Sequence, residues 1–499
     1  MAKAIMIQGT MSNAGKSLVA AGLCRVFRQD GLRVAPFKAQ NMALNSCVTR
    51  EGLEMGRAQA VQAQAAGVEP SVLMNPILLK PTGDAASQLI VSGRVRGQYD
   101  ARDYFALRKT LVPEVMEAYC TLSAKNDVIV IEGAGSPAEI NLNRDDPFVN
   151  MGMAKAVKAP VLLVGDIDPG GVFAQLYGTL ALLPPEERAM VKGLVINKFR
   201  GDVSILTPGL RQLEALTHVP VLGVLPYLPI DLDDEDSLSS RLTNRAAALV
   251  DIAVIRLPRL SNFTDFRTLE RVDGVSVRYV SSPGQLGEPD LIILPGTKNT
   301  MADLTWLRQT GLEARIQRFA REGGAVLGIC GGYQMLGRTL SDPEGVEQGG
   351  AMTGLGLLDV DTVFTHEKTR TRVHGTFGGM EGLLAPLSKR TFEGYEIHMG
   401  RTQGDKGIAL LEDTVSGNAR WDGAQQGSVY GTYVHGVLDG PDVTETLVRT
   451  LAVRKGIDPE LLGHVAGADW QERQFDLLAD AVRTHLDMEA VCRILEEGI

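Results

Sequence analysis

Short apolar runs that end in polar or charged residues recur through the first half of the chain, and helix-competent sequence separates them. The runs occupy residues 4–7, 33–38, 75–81, 127–132, 159–166 and 191–198. Uninterrupted apolar runs of this length are typical of strands that are buried on both faces. Their alternation with helices predicts an α/β fold with a mostly parallel, doubly wound sheet.

The same alternation starts again after an acidic run at residues 231–236. Apolar runs at 251–257, 290–294 and 324–330 predict three strands of a second α/β domain. Because the acidic run and the serines behind it favour a solvated linker, we predict one domain at 1–235 and another at 250–455. Helical sequence at 456–499 is expected to form a C-terminal extension that completes the packing.

The composition excludes several classes of protein. At 499 residues the chain is too long for a single hydrophobic core. Its net charge of −10 argues against general nucleic-acid binding and requires a locally basic pocket for any anionic substrate. No apolar run approaches the roughly 18 residues that span a bilayer. Because the first predicted strand begins at residue 4, we expect no cleavable signal peptide. With five scattered cysteines, these features predict a cytoplasmic protein.

The first predicted strand leads into the sequence GTMSNAGKS at residues 9–17, and an apolar helical stretch follows. Glycines let the backbone N–H groups point inward, while a lysine and a helix N-terminus add positive charge. Five residues separate the first glycine from the Gly-Lys pair, one more than usual, but the flanking strand and helix disfavour an ordinary turn. We predict a phosphate-binding loop for a nucleoside triphosphate, formed by Gly9, Thr10, Asn13, Gly15, Lys16 and Ser17.

Polar residues at the ends of later strands extend this site. Glu132 follows an apolar strand at the point where phosphate-loop proteins place an acid beside Mg²⁺, so we predict a metal site formed by Ser17 and Glu132. Asn197 has the donor and the acceptor needed to contact a nucleotide base edge, and Lys198 follows it. Asp166 either assists the metal or only belongs to the turn behind its strand.

The second predicted strand ends in Lys38, with Gln40 and Asn41 just behind it. Ligands bind at the carboxyl ends of strands in open α/β sheets, so these three residues are candidate contacts for substrate or phosphate. Lys38 can balance charge at the γ-phosphate or at an acidic acceptor. A solvated lysine at a strand end is an equally good interpretation.

A cysteine with the surroundings of a nucleophile lies in the second half. Cys330 follows a buried strand, precedes a helical stretch, and is flanked by Gly328, Gly331 and Gly332. A sharp strand-to-helix elbow exposes the sulfur beside a helix N-terminus and aims backbone N–H groups, including that of Gly331, at an oxyanion. The glycines disfavour the simpler interpretation of Cys330 as a small core residue.

The base that activates such a cysteine must come from a distant part of the sequence. Of the seven histidines, His435 stands at the end of a strand-like run and is the best candidate. His398 is the second choice. His366 and His374 lie in polar, loop-like sequence and are predicted to be ordinary surface residues.

The phosphate loop with its five-residue spacer resembles that of the dethiobiotin synthetase-like ATPases. The segments that begin at Glu132 and Asn197 are similar to the metal and base segments of that group. Three longer segments, at residues 36–46, 74–81 and 196–202, resemble the cobyric acid synthase family, the glutamine-dependent amidases of cobalamin biosynthesis. This resemblance covers nearly the whole chain and fades after about residue 455.

The second half resembles a class I glutamine amidotransferase domain. The resemblance implies that Cys330 is the nucleophile, that His435 is the base, and that Gly296 supplies an oxyanion donor. This class usually carries a glutamate two residues after the histidine, where the present chain has Val437. The third member of the site is therefore left unassigned.

The family resemblance implies ATP- and glutamine-dependent amidation of the b, d, e and g carboxylates of adenosylcobyrinic acid a,c-diamide, which gives adenosylcobyric acid. It implies ATP as co-substrate, Mg²⁺ as activating ion, no tightly bound prosthetic group, and no nucleic-acid or membrane partner. Because ammonia must reach an acyl phosphate unprotonated, we also predict a sheltered path between the domains.

Three alternatives remain open at this point. Cobyrinic acid a,c-diamide synthase shares the two-domain layout, although the segments at 37–46 and 196–202 favour the cobyric acid synthase family. Amidotransferases of cell-wall lipid intermediates usually carry their two parts on separate chains, which disfavours them. A nucleotide switch of the partitioning-ATPase type has no use for Cys330.

Overall fold

The computed structural model describes residues 2–82, 86–141, 146–232, 248–404, 407–465 and 467–499, without the side chain of residue 468. The chain forms two compact units. Unit 1 contains Met1–Ala43, Met55–Glu235 and Ala468–Ile499, and unit 2 contains Leu44–Glu54 and Asp236–Gly467. Most of the predicted acidic linker, from residue 233 onward, lies outside the described residues.

In chain order, the strands are β1 (Lys3–Gly9), β2 (Val34–Phe37), β3 (Gln40–Met42), β4 (Ser46–Val48), β5 (Glu54–Gly56), β6 (Ile77–Pro81), β7 (Ala86–Val91), β8 (Arg94–Asp100), β9 (Val128–Glu132), β10 (Val161–Asp166), β11 (Val191–Phe199), β12 (Val221–Pro226), β13 (Val250–Ile255), β14 (Val275–Val280), β15 (Leu291–Leu294), β16 (Ala325–Ile329), β17 (Thr339–Asp342), β18 (Gly350–Thr353), β19 (Val360–Phe377), β20 (Thr391–Gly404), β21 (Ala409–Asp413), β22 (Ala419–Asp422), β23 (Ala424–Gln426) and β24 (Val429–Thr432).

The helices are α1 (Lys16–Gln29), α2 (Arg57–Ala66), α3 (Ala101–Leu107), α4 (Val112–Ser123), α5 (Met151–Val157), α6 (Val172–Leu182), α7 (Pro185–Arg188), α8 (Thr207–Thr217), α9 (Arg267–Glu270), α10 (Pro283–Leu286), α11 (Thr300–Thr310), α12 (Leu312–Arg321), α13 (Gly331–Leu336), α14 (Pro441–Arg454), α15 (Ala468–His485) and α16 (Met488–Glu497). Across the described ranges, none of them combines the length and the apolar character needed to cross a bilayer.

Unit 1 is built on a parallel sheet with the strand order β12-β11-β10-β1-β9-β2. β1 lies between β10 and β9, so its carboxyl end is a point where the strand order reverses, which is where such sheets bind ligands. The predicted doubly wound, mostly parallel α/β sheet is therefore confirmed. The predicted strand at 75–81 lies elsewhere, however: β6 joins a separate sheet with the order β3-β6-β7-β8, because the hairpin partner β7 follows it closely in sequence.

The last two helices belong to unit 1. α15 packs on α1, where the absence of a side chain at Gly22 lets Leu478 and Val482 approach the helix backbone. Arg25 on α1 pairs with Asp476 on α15 at 2.7 Å. The predicted domain boundaries at 235, 250 and 455 stay a prediction. Residues 44–54, which fall in the first predicted domain, belong to unit 2, and residues 468–499, which fall in the predicted C-terminal extension, belong to unit 1.

Unit 2 contains a second sheet with the order β14-β13-β15-β16-β24-β23, parallel except for β23. A further sheet is dominated by the long antiparallel pair β19 and β20. Polar side chains on β19 hid this strand from the apolar pattern. His366 and His374 lie on β19, so the loop prediction for them is wrong, although both are exposed as expected.

Candidate functional site

The first glycine-rich stretch wraps around the amino end of α1. Gly15 precedes the helix with φ of 95°, a left-handed conformation that favours glycine. A side chain at Gly9 would come within 3.0 Å of the Lys16 side chain. The Lys16 ammonium donates a hydrogen bond to the carbonyl of Met11 at 2.9 Å, so the lysine folds over its own loop.

The carboxyl end of β11 supports this loop from beside it. The Asn197 amide donates to the carbonyl of Ala14 at 3.0 Å, and Lys198 donates to the carbonyl of Asn13 at 2.7 Å. Lys198 also pairs with the buried Asp166 at 2.6 Å. Asn197 Oδ1 is buried and has no hydrogen-bond partner in the described part of the chain, so it can accept a bond from a ligand.

Thr10 lies on the other side of the loop. Its hydroxyl donates to Gln175 Oε1 on α6 at 3.0 Å, and its backbone N–H donates to Val164 on β10 at 2.9 Å. Thr10 is thus tied to the sheet, and the structure brings all six loop residues of the prediction to one end of β1.

Glu132 is the electrostatic centre of this region. Its side chain is 0% exposed and accepts hydrogen bonds from Ser17 and Lys38, each at 2.9 Å. Gln62 donates to the second carboxylate oxygen, and Gln59 lies 3.4 Å from it. Because Lys38 is buried against Glu132, the solvated-lysine interpretation does not hold.

Gln59 and Gln62 were not predicted from the sequence. They lie three residues apart on one face of α2, and an i, i+3 pair of glutamines in an otherwise alanine-rich stretch was the available signal. The Asn41 amide donates to Gln59 Oε1 at 3.0 Å, and Gln40 accepts a hydrogen bond from Tyr104. Asn41 thus contacts a residue that approaches Glu132, whereas Gln40 contacts Tyr104. The role of both as substrate or phosphate contacts stays a prediction.

The pair Ser17 and Glu132 fits a magnesium ion. Their oxygens are 2.9 Å apart, and oxygens at adjacent corners of an octahedron with bonds of ~2.1 Å lie about 3 Å apart. Within the described ranges, no group of three His, Cys, Asp or Glu side chains forms a larger metal cluster. Few protein ligands are typical of Mg²⁺ that is bound together with phosphates.

In unit 2, Cys330 occupies a strained elbow between β16 and α13. Its backbone has φ of 52° and ψ of −108°, a conformation that non-glycine residues rarely adopt. Gly332 must lack a side chain, since a Cβ there would lie 1.9 Å from the carbonyl of Leu294. The first N–H groups of α13, beginning with that of Gly331, have no partner within the helix and can bind an oxyanion.

His435 follows β24 and faces this elbow. Its Nδ1 lies 2.7 Å from Asp265 Oδ2, and the Cys330 sulfur lies close enough to the ring to raise its pKa. Burial alone would lower the pKa of His435. The charge of Asp265, together with the interactions with Cys330, outweighs burial and raises the pKa to about 10. An imidazole that is oriented by a carboxylate and lies beside a cysteine is the arrangement of an activated thiol nucleophile.

Asp265 is a candidate site residue that the sequence did not reveal. It lies in the short 3-10 turn Phe263–Phe266, and its second oxygen accepts the N–H of Gly436 at 3.1 Å. The carboxylate therefore fixes both the ring and the backbone at His435. It reaches the ring from 170 residues before His435, whereas a glutamate at position 437 would lie two residues after it. No local pattern marked it.

Of the other two residues predicted for this site, Gly296 lies against the His435 ring and His398 does not. A side chain at Gly296 would come within 2.8 Å of His435 Cε1. His398 stacks on Tyr433, and its Nδ1 lies 2.8 Å from the carbonyl of Gly400. Burial lowers the pKa of His398 to about 4, so it stays neutral and is not the partner of the thiol.

These arrangements define a class: a parallel α/β sheet with a phosphate-loop geometry, on the same chain as a second α/β unit in which Cys330, His435 and Asp265 lie together, as expected of a glutamine amidotransferase. Two family descriptions match accordingly. The CobQ/CobB/MinD/ParA nucleotide binding domain matches residues 5–252, and the CobB/CobQ-like glutamine amidotransferase domain matches residues 251–443.

The chain belongs to the cobyric acid synthase family. It is 58% identical over its full length to the cobyric acid synthase of Ruminiclostridium cellulolyticum, of which it covers 98%. It is 54% identical to that of Lachnoclostridium phytofermentans, with full coverage of both chains. A solved glutamine amidotransferase covers 40% of this chain and 98% of its own at 20% identity, with a TM-score of 0.31, a likeness too weak to bear on function.

Proposed function

We propose that the chain catalyses the ATP- and glutamine-dependent amidation of the b, d, e and g carboxylates of adenosylcobyrinic acid a,c-diamide to adenosylcobyric acid. The Asp265–His435–Cys330 arrangement carries this proposal, because a thiolate site on the same chain as a phosphate loop supplies both ammonia and activation. Relatives named cobyric acid synthase, similar over the whole chain, support the substrate.

The nucleotide half activates the acceptor acid. The γ-phosphoryl group of ATP is transferred to a corrin carboxylate, which gives an acyl phosphate and ADP. Lys16 turns from the Met11 carbonyl to the phosphates, Asn197 Oδ1 accepts a hydrogen bond from the base, and Lys38 lies near the carboxylate that reacts. Ser17 and Glu132 would hold Mg²⁺, which supplies charge neutralisation at the phosphates when bound.

The glutaminase half releases ammonia. The Cys330 thiolate attacks the side-chain amide carbon of glutamine, and the N–H groups of Gly296 and Gly331 bind the resulting oxyanion. His435 gives its proton to the leaving nitrogen, so that ammonia and a thioester form. Water then hydrolyses the thioester to glutamate, with His435 taking a proton from that water.

Ammonia completes the reaction at the acyl phosphate. It displaces phosphate from the activated carboxylate and forms the carboxamide, so one ATP and one glutamine are consumed for each amide. The free state of the five cysteines suits a reducing cytoplasm, where we place the reaction.

The test is a product analysis. The purified chain is incubated with ATP, Mg²⁺, glutamine and either adenosylcobyrinic acid a,c-diamide or cobyrinic acid. The corrins are then separated, and the positions of their amides are located by tandem mass spectrometry. With the a,c-diamide as substrate, we expect four new amides, at b, d, e and g. ADP and glutamate should form in equal amounts. Amidation of cobyrinic acid at a and c instead would identify the a,c-diamide synthase reaction and refute the proposal.

A further inference from the structure

The short segment at residues 44–54 belongs to unit 2, although the chain on both sides of it belongs to unit 1. It contains β4 and the start of β5, and Asn45, Ser46, Val48 and Glu54 within it are buried. A buried excursion of this kind is unusual for a connecting loop, which normally runs over the surface. Its contacts within unit 2 suggest what it does.

The segment packs on the back of the glutaminase site. Val48 forms a small hydrophobic cluster with Tyr395 and Ile397 of β20. The hydroxyl of Tyr395 donates to the carbonyl of Ser46 at 3.2 Å. Ser46 also donates its N–H to Asn262 Oδ1 at 3.3 Å, directly ahead of the turn that carries Asp265.

Two of the residues that the segment contacts, Tyr395 and Ile397, themselves contact a catalytic candidate. The Tyr395 ring stacks on the His435 ring with centroids 5.4 Å apart, and the two residues exchange backbone hydrogen bonds of 2.9 and 3.0 Å. The Cys330 sulfur lies 3.9 Å from the carbonyl of Ile397. A displacement of residues 44–54 would therefore reach both the base and the nucleophile.

A buried ion pair anchors the segment. Glu54 pairs with Lys368 of β19 at 2.6 Å, with side chains that are 0% and 8% exposed, and it also accepts the hydroxyl of Ser46 at 3.0 Å. A buried pair of this kind fixes one register strongly, because separating either partner leaves a buried charge uncompensated.

The two ends of the segment lead into the Glu132 network of unit 1. Asn41, three residues before it, donates to Gln59, five residues after it. Gln59 and Gln62 in turn approach Glu132. A ligand that replaces the hydrogen bonds of Glu132 therefore affects Gln59 and, through it, Asn41, which flank the segment on its two sides in the sequence.

We propose that residues 44–54 are a positioning element, in which Val48 holds Tyr395 and Ile397 against His435 and Cys330, and through which nucleotide binding at Glu132 adjusts the glutaminase site. This inference rests on the proposed function of that site. It assigns no catalytic role to the segment itself.

The test compares Val48→Ala with Val275→Ala, a matched truncation of a buried valine on β14 of the same unit. We expect Val48→Ala to lower kcat for glutamine hydrolysis by about tenfold with little change in KM, because misplacement of reacting groups costs rate rather than binding. Amidation driven by added ammonium should be unchanged. Val275→Ala should affect stability alone.

A second readout follows the thiol directly and needs no corrin. We expect ATP with Mg²⁺ to change the rate at which iodoacetamide alkylates Cys330 in the native chain by several-fold, and Val48→Ala to abolish that response. The conservative variant Val48→Ile should restore it. The proposal is overturned if ATP leaves the native alkylation rate unchanged, or if Val48→Ala keeps both the response and the native kcat. Failure of corrin amidation would refute the proposed function and leave this alkylation test intact.

Discussion

The two sites handle buried charge in opposite ways. In unit 2, Asp265 already contacts His435, and His435 already lies within electrostatic reach of Cys330, before any substrate binds. In unit 1, the charged groups are paired with neighbours that a ligand must replace: Lys16 with its own loop, and Lys38 with Glu132.

The difference follows from what each site must do before its substrate arrives. A thiolate needs a permanent cationic partner, because the sulfur is otherwise protonated at neutral pH. Groups that bind phosphate and metal need partners that exchange, since a buried and uncompensated charge is costly in the free protein. One site is therefore assembled at rest, and the other becomes assembled on binding. Each prediction below tests one half of this contrast.

The largest effect is expected from removal of the sulfur. Cys330→Ala should lower glutamine-dependent amidation at least about 10⁴-fold, because no other group forms the thioester. Amidation with ammonium chloride in place of glutamine should continue at the native rate, since the nucleotide site is untouched. Measurement of both rates on the same preparation checks this. Equal loss of both rates would show that the two sites are not separate.

Lys16→Ala tests the nucleotide site of unit 1, the site that becomes assembled on binding. We expect about 10³-fold lower amidation with either nitrogen source, because the charge on the transferred phosphoryl group loses its counter-charge. Hydrolysis of glutamine without ATP should persist, since the thiol site is already assembled. Lys109→Ala, at an exposed lysine of the same unit, is the matched control and should be silent. A native amidation rate in Lys16→Ala would remove the loop from the mechanism.

The sequence made most of the nucleotide site predictable, and the reason is geometric. Gly9 to Ser17 is one contiguous stretch, and parallel strands deliver Glu132, Asn197 and Lys198 to the same edge of the sheet. Contiguity and strand periodicity are both visible in a single sequence. The sequence also located Lys38 at the end of its strand. Its burial against Glu132 was not predictable, because the burial of a strand-end lysine depends on packing.

The glutaminase site was only half predictable for the converse reason. The elbow at Cys330 is local and has its own glycine pattern, whereas Asp265 comes from an irregular turn with no periodicity. Residues 44–54 and the polar strand β19 were missed for the same reason. Their positions depend on long-range pairing, as in the ion pair between Glu54 and Lys368.

Asp265→Asn sharpens the account of the assembled site. The amide keeps the shape but removes the charge that orients and stabilises the protonated ring, and we expect kcat for glutamine hydrolysis to fall by about 10²-fold or more. The alkylation rate of Cys330 at pH 7 should fall as well, because less thiolate is present. Ammonium-driven amidation serves as the internal control. A native alkylation rate would mean that Asp265 does not influence the reactivity of the Cys330 thiol.

The smallest effect is a change in how stability depends on pH. The pKa of His435 is raised from 6.5 to about 10, so the folded chain holds a proton that the unfolded chain releases between these values. This contribution is complete below pH 6.5 and is lost as the pH rises towards 10. We expect the difference in thermal midpoint between the native chain and Asp265→Asn to be largest near pH 6 and to shrink by pH 9.5. Calorimetry of the full chain across this range measures it. A difference that grows with pH would show that His435 is neutral in the folded protein, and the site would then not be assembled at rest.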